Sequence, residues 1–435
     1  MRGRAALQVG ILVVAVAVAV VWFARRGAAR CPDCNVILVS LDTLRADRLG
    51  SYGHDRETSP TIDALAAESI VFSNAVAQYT VTKTSHRSLF TSRRRYADED
   101  ATWAEILRER GYRTAAFTGG GFMNRRFGHA RGFDLYFDAV RYNGLEDLTP
   151  RVLDWLERNR DEPFFLFLHT YDVHCPYAPP EPWFSTFTDD YRPEFGMDAK
   201  CGVNFFNRKA LSPRDIAFVS AVYDGGVRWV DDMLKETFEA FDRLGLSENS
   251  IIVVTSDHGE SLGEQGFFGH GGLTEDQIRV PLIMKIPGEP PRWVTEPVSL
   301  IDVLPTVLGL LGVEPPPDLD GIDLGPVLAG DASFEGVRPR LTATLSGDLA
   351  FRTDDTWKLV VRKESGLREL YDLASNPFRN VIAANTWRAR LMERELEGFL
   401  ERENRPDRGD ADTVAELEGA EPELVEQLRG LGYLP

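Results

Sequence analysis

Four apolar runs, Asn35–Asp42, Tyr112–Thr118, Phe164–Thr170 and Ser250–Asp257, are short, nearly free of charge and end in polar residues. Apolar runs that do not alternate suit strands buried on both faces, as in the middle of a parallel sheet. Between them lie helix start signals. Ser59-Pro60, Thr149-Pro150 and Ser212-Pro213 each place a cap residue before a proline at the first helical position, and Thr102-x-x-Glu105 reads as a capping box. The helix opened by Ser212 is expected to reach about Leu244. Strands alternating with helices predict an α/β fold, a mostly parallel sheet sandwiched by helices. From about Arg338 the pattern shortens. Leu341–Leu345, Ala350–Thr353, Lys358–Arg362 and Leu367–Tyr371 are separated by polar turns and predict a small C-terminal antiparallel sheet. Charged helical segments follow, with an acidic, mobile stretch expected near Arg405–Asp412.

The amino terminus reads differently. Arg2 and Arg4 precede an uncharged run from Ala5 to Ala24, and ~20 residues rising ~1.5 Å each match the ~30 Å hydrocarbon core of a bilayer. Trp22 and Phe23, then Arg25 and Arg26, stand where interface anchors would. A cleaved signal peptide would carry a shorter apolar stretch and a small-residue cleavage site. The run therefore predicts a single-pass membrane anchor through residues 5–24; its flanking charges, two Arg before and three after, do not settle orientation, and the domain that follows is expected outside the cytoplasm. The expected division is 1–30 anchor, 31–337 catalytic domain, 338–390 antiparallel subdomain and 391–435 charged helical tail. The 67 acidic and 49 basic residues give a net charge of −18, and the first thirty residues carry five Arg and no acid, which leaves −23 on the rest. Such a surface repels nucleic acid, which is excluded as a partner. All four cysteines follow the anchor. They suit up to two disulfides in an oxidising compartment, with three connectivities open. Cys31 and Cys34 have CxxC spacing, but no second pair accompanies them to make a zinc site.

Two of the strands end in acids where α/β ligand sites collect. Asp42 closes the first and Asp257-His258 the last. Either Asp alone would be read as a turn cap. Together, two carboxylates and one imidazole make a hard site suited to one divalent metal: Ca²⁺, Mg²⁺, Mn²⁺ or Zn²⁺. Around them, Asn35-Val-Ile-Leu-Val-Ser-Leu-Asp42-Thr-Leu-Arg-Ala-Asp47, Ser59-Pro-Thr-Ile-Asp, Phe165-Leu-Phe-Leu-His169-Thr-Tyr-Asp-Val-His174, Thr255-Ser-Asp257-His258-Gly-Glu260, Arg279-Val-Pro-Leu-Ile and Glu369-Leu-Tyr-Asp-Leu occur in register. In these segments the chain resembles the sulfatase family of the alkaline phosphatase superfamily. The resemblance implies one metal, Ca²⁺ in the family, on Asp42, Asp257 and His258. It implies cationic contacts to the anionic group from His174 and His270, and structural hydrogen bonds from His169 and Glu260.

The sequence departs from the family at two places. The family's C-x-P-S-R or S-x-P-S-R begins with the residue converted to formylglycine, whereas the matching stretch here is Thr82-Lys83-Thr84-Ser85-His86-Arg87-Ser88-Leu89-Phe90-Thr91. Thr82 takes the nucleophile position, and no formylglycine is expected. A threonine hydroxyl can still attack, given a metal and a helix N-terminus, as in the phosphoethanolamine and lipoteichoic-acid transferases that this arrangement resembles. The second departure is Gly111-Tyr-Arg-Thr-Ala-Ala-Phe-Thr-Gly119-Gly-Gly121, where family members with G-K-x-H bind sulfate through Lys and His. A Gly-rich backbone offers N–H groups but no charge. Lys83 and Arg87 are the candidate substrate-binding cations that compensate, although solvent exposure is the default for both. A sulfated formylglycine hydrate collapses to the aldehyde. A sulfated Thr has no such exit, whereas a phosphorylated Thr is opened in line by water or an alcohol. The expected function is a metal-dependent hydrolase of sulfate or phosphate-type esters at the cell envelope. The alternatives are a phospho-group transferase acting on an envelope glycan or lipid, and a catalytically degenerate glycan binder.

Overall fold

Every residue of Asn35–Leu41 (β1) is buried, because parallel neighbours flank it on both sides: Phe164–Thr170 (β5) and Ser250–Thr255 (β6). The computed structural model describes residues 30–138, 144–194, 211–329, 339–354, 356–402, 417 and 419–431. The apolar run 5–24 and the acidic stretch 405–412 lie outside them. Among the described residues no helix is long and apolar enough to cross a membrane. Beyond β5 the sheet continues in parallel with Arg113–Thr118 (β3) and Leu135–Asp138 (β4). On the far side of β6 the direction reverses. Arg279–Lys285 (β9) runs antiparallel to β6, and Ile70–Val76 (β2) runs antiparallel to β9. Arg292–Val294 (β10) and Val298–Ser299 (β11) complete a nine-stranded sheet, while Ser261–Leu262 (β7) and Phe268–Gly269 (β8) pair apart from it as a two-stranded antiparallel ribbon.

Side chains alternate along β1 into two cores. Val36 and Leu38 join Trp103, Phe165 and Phe167 on one face. Ile37, Val39 and Leu41 join Leu148, Val222 and Leu234 on the other. The covering helices are Pro60–Ala67 (α1), Thr82–Thr91 (α2), Trp103–Glu109 (α3), Leu145–Asn159 (α4) and Pro213–Arg243 (α5). Capping boxes at Thr102/Glu105 and Ser212/Asp215 start α3 and α5 where the sequence predicts. The signal at Thr149-Pro150 misleads, since α4 begins at Leu145 with Pro150 inside it. Asp172 Oδ2 accepts the Leu145 N–H at 2.7 Å, and this contact from a distant loop sets the start.

The C-terminal sheet is antiparallel, in the order Arg340–Ala343 (β12), Leu349–Arg352 (β13), Trp357–Val361 (β14) and Arg368–Asp372 (β15). Helix Thr386–Arg402 (α6) packs Met392, Leu396 and Phe399 on its Leu341, Phe351, Leu359 and Leu370. The expected boundary at 390 therefore falls inside a helix that belongs with the sheet. Lys358 ties this unit to the main body through Leu273 O (2.6 Å) and Glu275 (3.0 Å). The last described helix is Pro422–Gly430 (α7).

Candidate active site

β1 and β6 are neighbours, with Ser40 opposite Thr255. The residues that follow them, Asp42 and Asp257-His258, therefore emerge side by side at the carboxyl edge of the sheet. All three are fully buried, and their ligand atoms lie within 4.8 Å of one another. Thr82 opens α2 after the extended Val81. Its hydroxyl donates to Asp42 Oδ2 at 3.0 Å and lies 3.5 Å from His258 Nε2. The other hydroxyls of this segment are committed elsewhere: Thr84 donates to Val81 O (3.0 Å) and Ser85 to Asp257 O (2.7 Å).

The donor set fits one divalent cation. Asp42 Oδ1 and both oxygens of Asp257 meet no donor at hydrogen-bonding geometry. Asp257 Oδ2 lies 3.4 Å from a ring nitrogen of His258 and 3.5 Å from one of His86. Buried carboxylates left so are costly unless a cation joins them. Burial, then the neighbouring Asp257, pushes the Asp42 carboxyl well above its usual range, and burial raises Asp257 as well. Burial pushes His258 down to about 3. Its Nδ1 faces the Gly259 carbonyl at 3.0 Å, so the proton sits there and Nε2 presents a lone pair, as metal-ligating histidines do. Behind the ligands, His169 Nε2 reaches Asp42 Oδ2 at 3.3 Å. His86, in the place of the family's Arg, bridges Ser40 Oγ (3.0 Å) and Thr82 O (2.9 Å). Glu260 is buried too, and burial pushes its carboxyl up to about 8.

His174 and His270 come together, Nε2 to Nε2 at 3.1 Å, with His270 4.4 Å from His258 between ring centres. Their surroundings work against the positive charge expected of them. Burial and mutual proximity push His174 down to about 3, and burial together with His258 holds His270 well below its ordinary value. Each Nδ1 faces a carbonyl, Cys175 O and Thr80 O, so the two Nε2 lone pairs share one gap, and the pair is positive only with a proton in it. Lys83 is 1% exposed, its ammonium 5.7 Å from the Phe127 ring centre, which overturns the expectation of a solvated lysine. Arg87 is not brought to the acids. Its guanidinium donates to Phe127 O (2.9 and 3.2 Å) and lies over Tyr96.

Two N–H groups of the glycine turn are already taken. Gly121 N–H donates to Gln427 Oε1 of α7 (2.9 Å), and Phe122 N–H donates to the Tyr171 hydroxyl (3.1 Å). That phenol lies edge-on to His169 and His174, with ring centres 4.8 and 5.7 Å away. Sequence reasoning missed Tyr171; the only available signal was its place between His169 and His174. Cys31 and Cys34 form a disulfide, Cys175 is buried, and Cys201 lies outside the described residues.

A mostly parallel α/β sheet with this acid, imidazole and hydroxyl cluster at its carboxyl edge defines an ester hydrolase of the alkaline phosphatase–sulfatase class. The Sulfatase family model matches residues 34–313, and the chain belongs to the sulfatase family. It is 25% identical over 425 residues to the ulvan-active sulfatase of Formosa agariphila, covering 84% of this chain and 80% of the relative. It is 23% identical to the arylsulfatase of Clostridium perfringens, covering 84% and 94%. The crystal structure of the phosphonate monoester hydrolase of Agrobacterium radiobacter superposes with a TM-score of 0.70 at 21% identity, covering 85% of this chain and 95% of that one. That likeness is one of fold.

Proposed function

We propose that this sulfatase-family enzyme cleaves sulfate or phosphate-type esters, preferring phosphorus, through a covalent ester on Thr82. The observation that carries the reading is the Thr82 hydroxyl, 3.0 Å from Asp42 and 3.5 Å from His258 at the start of α2. A divalent ion held by Asp42, Asp257 and His258 would lower the hydroxyl's pKa and neutralise the ester anion. Thr82 Oγ attacks phosphorus, the new O–P bond forms as the P–OR bond breaks, and the hydroxyl proton ends on the departing alcohol. Water then opens the Thr82 ester, restoring the hydroxyl and releasing the acid. Asp42 aligns the hydroxyl, and His86 holds the first turn of α2 through Thr82 O.

We place this chemistry outside the cytoplasm, with residues 1–30 as the anchor, 31–337 as the catalytic domain and the C-terminal sheet as its partner. The Cys31–Cys34 disulfide and the anchor-like run 5–24 support that reading. Acid quench during turnover of an aryl phosphodiester, followed by peptide mass spectrometry, should find one phosphoryl adduct on Thr82, absent in Thr82→Ala and retained in Thr84→Ala. An adduct on Thr84, or strong aryl-sulfate turnover with Thr82 never modified, overturns the assignment.

A further inference from the structure

His270 stands at the rim of the candidate site. Asp42, Thr82 and His258 are fully buried, whereas His270 is half-buried, with its ring centre 4.4 Å from that of His258. The chain after it does little to fix it. Gly271 and Gly272 follow at once, Gly271 at φ +94° with open space where a Cβ would be, and glycine restrains the backbone least. The position of His270 must therefore come from contacts with other segments. Its Nδ1 lies 2.9 Å from Thr80 O, and Thr80 Oγ1 donates to Gly272 O at 2.9 Å. Gln277 Oε1 accepts from Gly272 N (2.6 Å), while its amide donates to Thr274 Oγ1 (3.0 Å) and Ser261 Oγ (2.7 Å).

The remaining hold comes from the C-terminal sheet. Lys358 of β14 is fully buried, and its ammonium donates to Leu273 O at 2.6 Å, stands 3.0 Å from Glu275 and lies 5.0 Å from the Tyr371 ring centre. Burying an ammonium is costly. Glu275 is also paired with Arg352, so its charge is answered without Lys358. What the lysine adds is the bond to Leu273 O, on the first residue beyond the two glycines. The same sheet grips the other strand of this contact, where Thr342 Oγ1 donates to Ala77 O (2.6 Å) and Ala343 N to Gln78 O (2.8 Å), just ahead of Thr80.

We propose that Lys358 is a positioning residue for the reaction at Thr82: through Leu273 O it fixes the two-glycine tether and so holds His270 at the place where an ester's oxygens meet it. This rests on the reading of Thr82 as nucleophile. The lysine touches neither substrate nor metal ligand, and its whole effect on turnover passes through His270.

The test is a cycle of four full-length proteins, wild type, Lys358→Met, His270→Ala and the double variant, loaded with Mn²⁺ and assayed on methyl 4-nitrophenyl phosphate. Lys358→Met keeps most of the side chain and leaves Glu275 to Arg352. It should lower kcat/KM by about 10-fold or more, since a displacement of about 1 Å can cost about 10²-fold, with Mn²⁺ affinity within about threefold of wild type. In the His270→Ala background the same change should cost less than about twofold, because a residue that acts through another is not additive with it. A merely structural lysine would lower both backgrounds alike. Met392→Ala loosens the same sheet from the α6 side, away from the 270–275 loop, and should leave kcat/KM near wild type. Should Lys358→Met fail to fold, Lys358→Arg replaces it in the cycle: it keeps a charge beside Glu275, but its planar head does not fit the seat of a compact ammonium, so it should show the same dependence on His270. Equal costs in the two backgrounds, wild-type rates in Lys358→Met, or an equal loss in Met392→Ala overturns the proposal. A wild-type enzyme that never forms an adduct on Thr82 sinks the nucleophile reading instead. One that forms it and shows equal costs in the two backgrounds sinks only this inference.

Discussion

Asp42 Oδ1 and both oxygens of Asp257 are buried side by side and meet no donor at hydrogen-bonding geometry, so ionising the two carboxyls together is costly unless a cation joins them. Asparagine keeps the shape and removes the charge. Asp42→Asn and Asp257→Asn should each weaken divalent-ion binding by at least the ~10–100-fold typical of outer-shell changes, and turnover should fall with it. Asp47→Asn is the control. Asp47 is exposed and paired with Arg45 at 2.7 Å, and despite partial desolvation in that pair the guanidinium brings its carboxyl down to about 2. Calorimetric titration with Mn²⁺ should find its affinity within about twofold of wild type. Normal binding in either site variant removes the metal assignment. Asp42, Asp257, His258 and Thr82 were legible in the sequence because each ends a strand or starts a helix within a motif. The burial of Lys83 and the place of Tyr171 against the glycine turn were not, because both depend on α2, the Gly119–Gly121 turn and α7 meeting across more than 300 residues of chain.

Helix α1 shows how far one element leans on another. Its Thr61 and Ile62 N–H groups are capped by Asp231 of α5, both at 2.8 Å. Burial nevertheless pushes the Asp231 carboxyl up to about 6. The folded state then binds the proton more tightly than the unfolded chain, so this group's contribution to stability falls as pH rises from about 4 to about 6 and is flat beyond. Two units correspond to at most about 3 kcal/mol. Asp231→Asn forfeits one cap bond at every pH but removes that slope. The difference in melting free energy between wild type and variant should therefore change across pH 4–6 and stay level from 7 to 8; a constant difference throughout contradicts the assignment. Element starts set locally were readable, as at Thr102 and Ser212. The start of α4 depends on Asp172 and was not. Strand β9 was hidden by Pro281, which reads as a strand breaker. The chain accommodates it at the register shift in β2 between Phe72 and Ala75, and its carbonyl accepts from Thr255 Oγ1 at 2.7 Å.

Across the whole molecule the catalytic site has two supports of different kinds. The candidate metal ligands hang from β1 and β6 in the middle of the sheet, whereas Val81, the residue before Thr82, is covered by α7 from the far end of the chain. Removing residues 417–435 takes away Leu424, Leu428 and Leu431 and uncovers Val81, Phe122 and Phe127. Burial of apolar side chains is worth about 1.5–3 kcal/mol each, so the shortened protein should lose several kcal/mol of stability while its sheet stays intact. Metal affinity should remain within about threefold of the full chain, since no ligand touches α7. Turnover of the diester should fall by about 10-fold or more, because the first turn of α2 and the Gly119–Gly121 turn lose their clamp. Metal titration and steady-state kinetics on the same sample separate the two supports. A truncated chain that loses the metal would place α7 under the ligand set, whereas one that keeps full turnover would show that the start of α2 is positioned by the sheet and His86 alone.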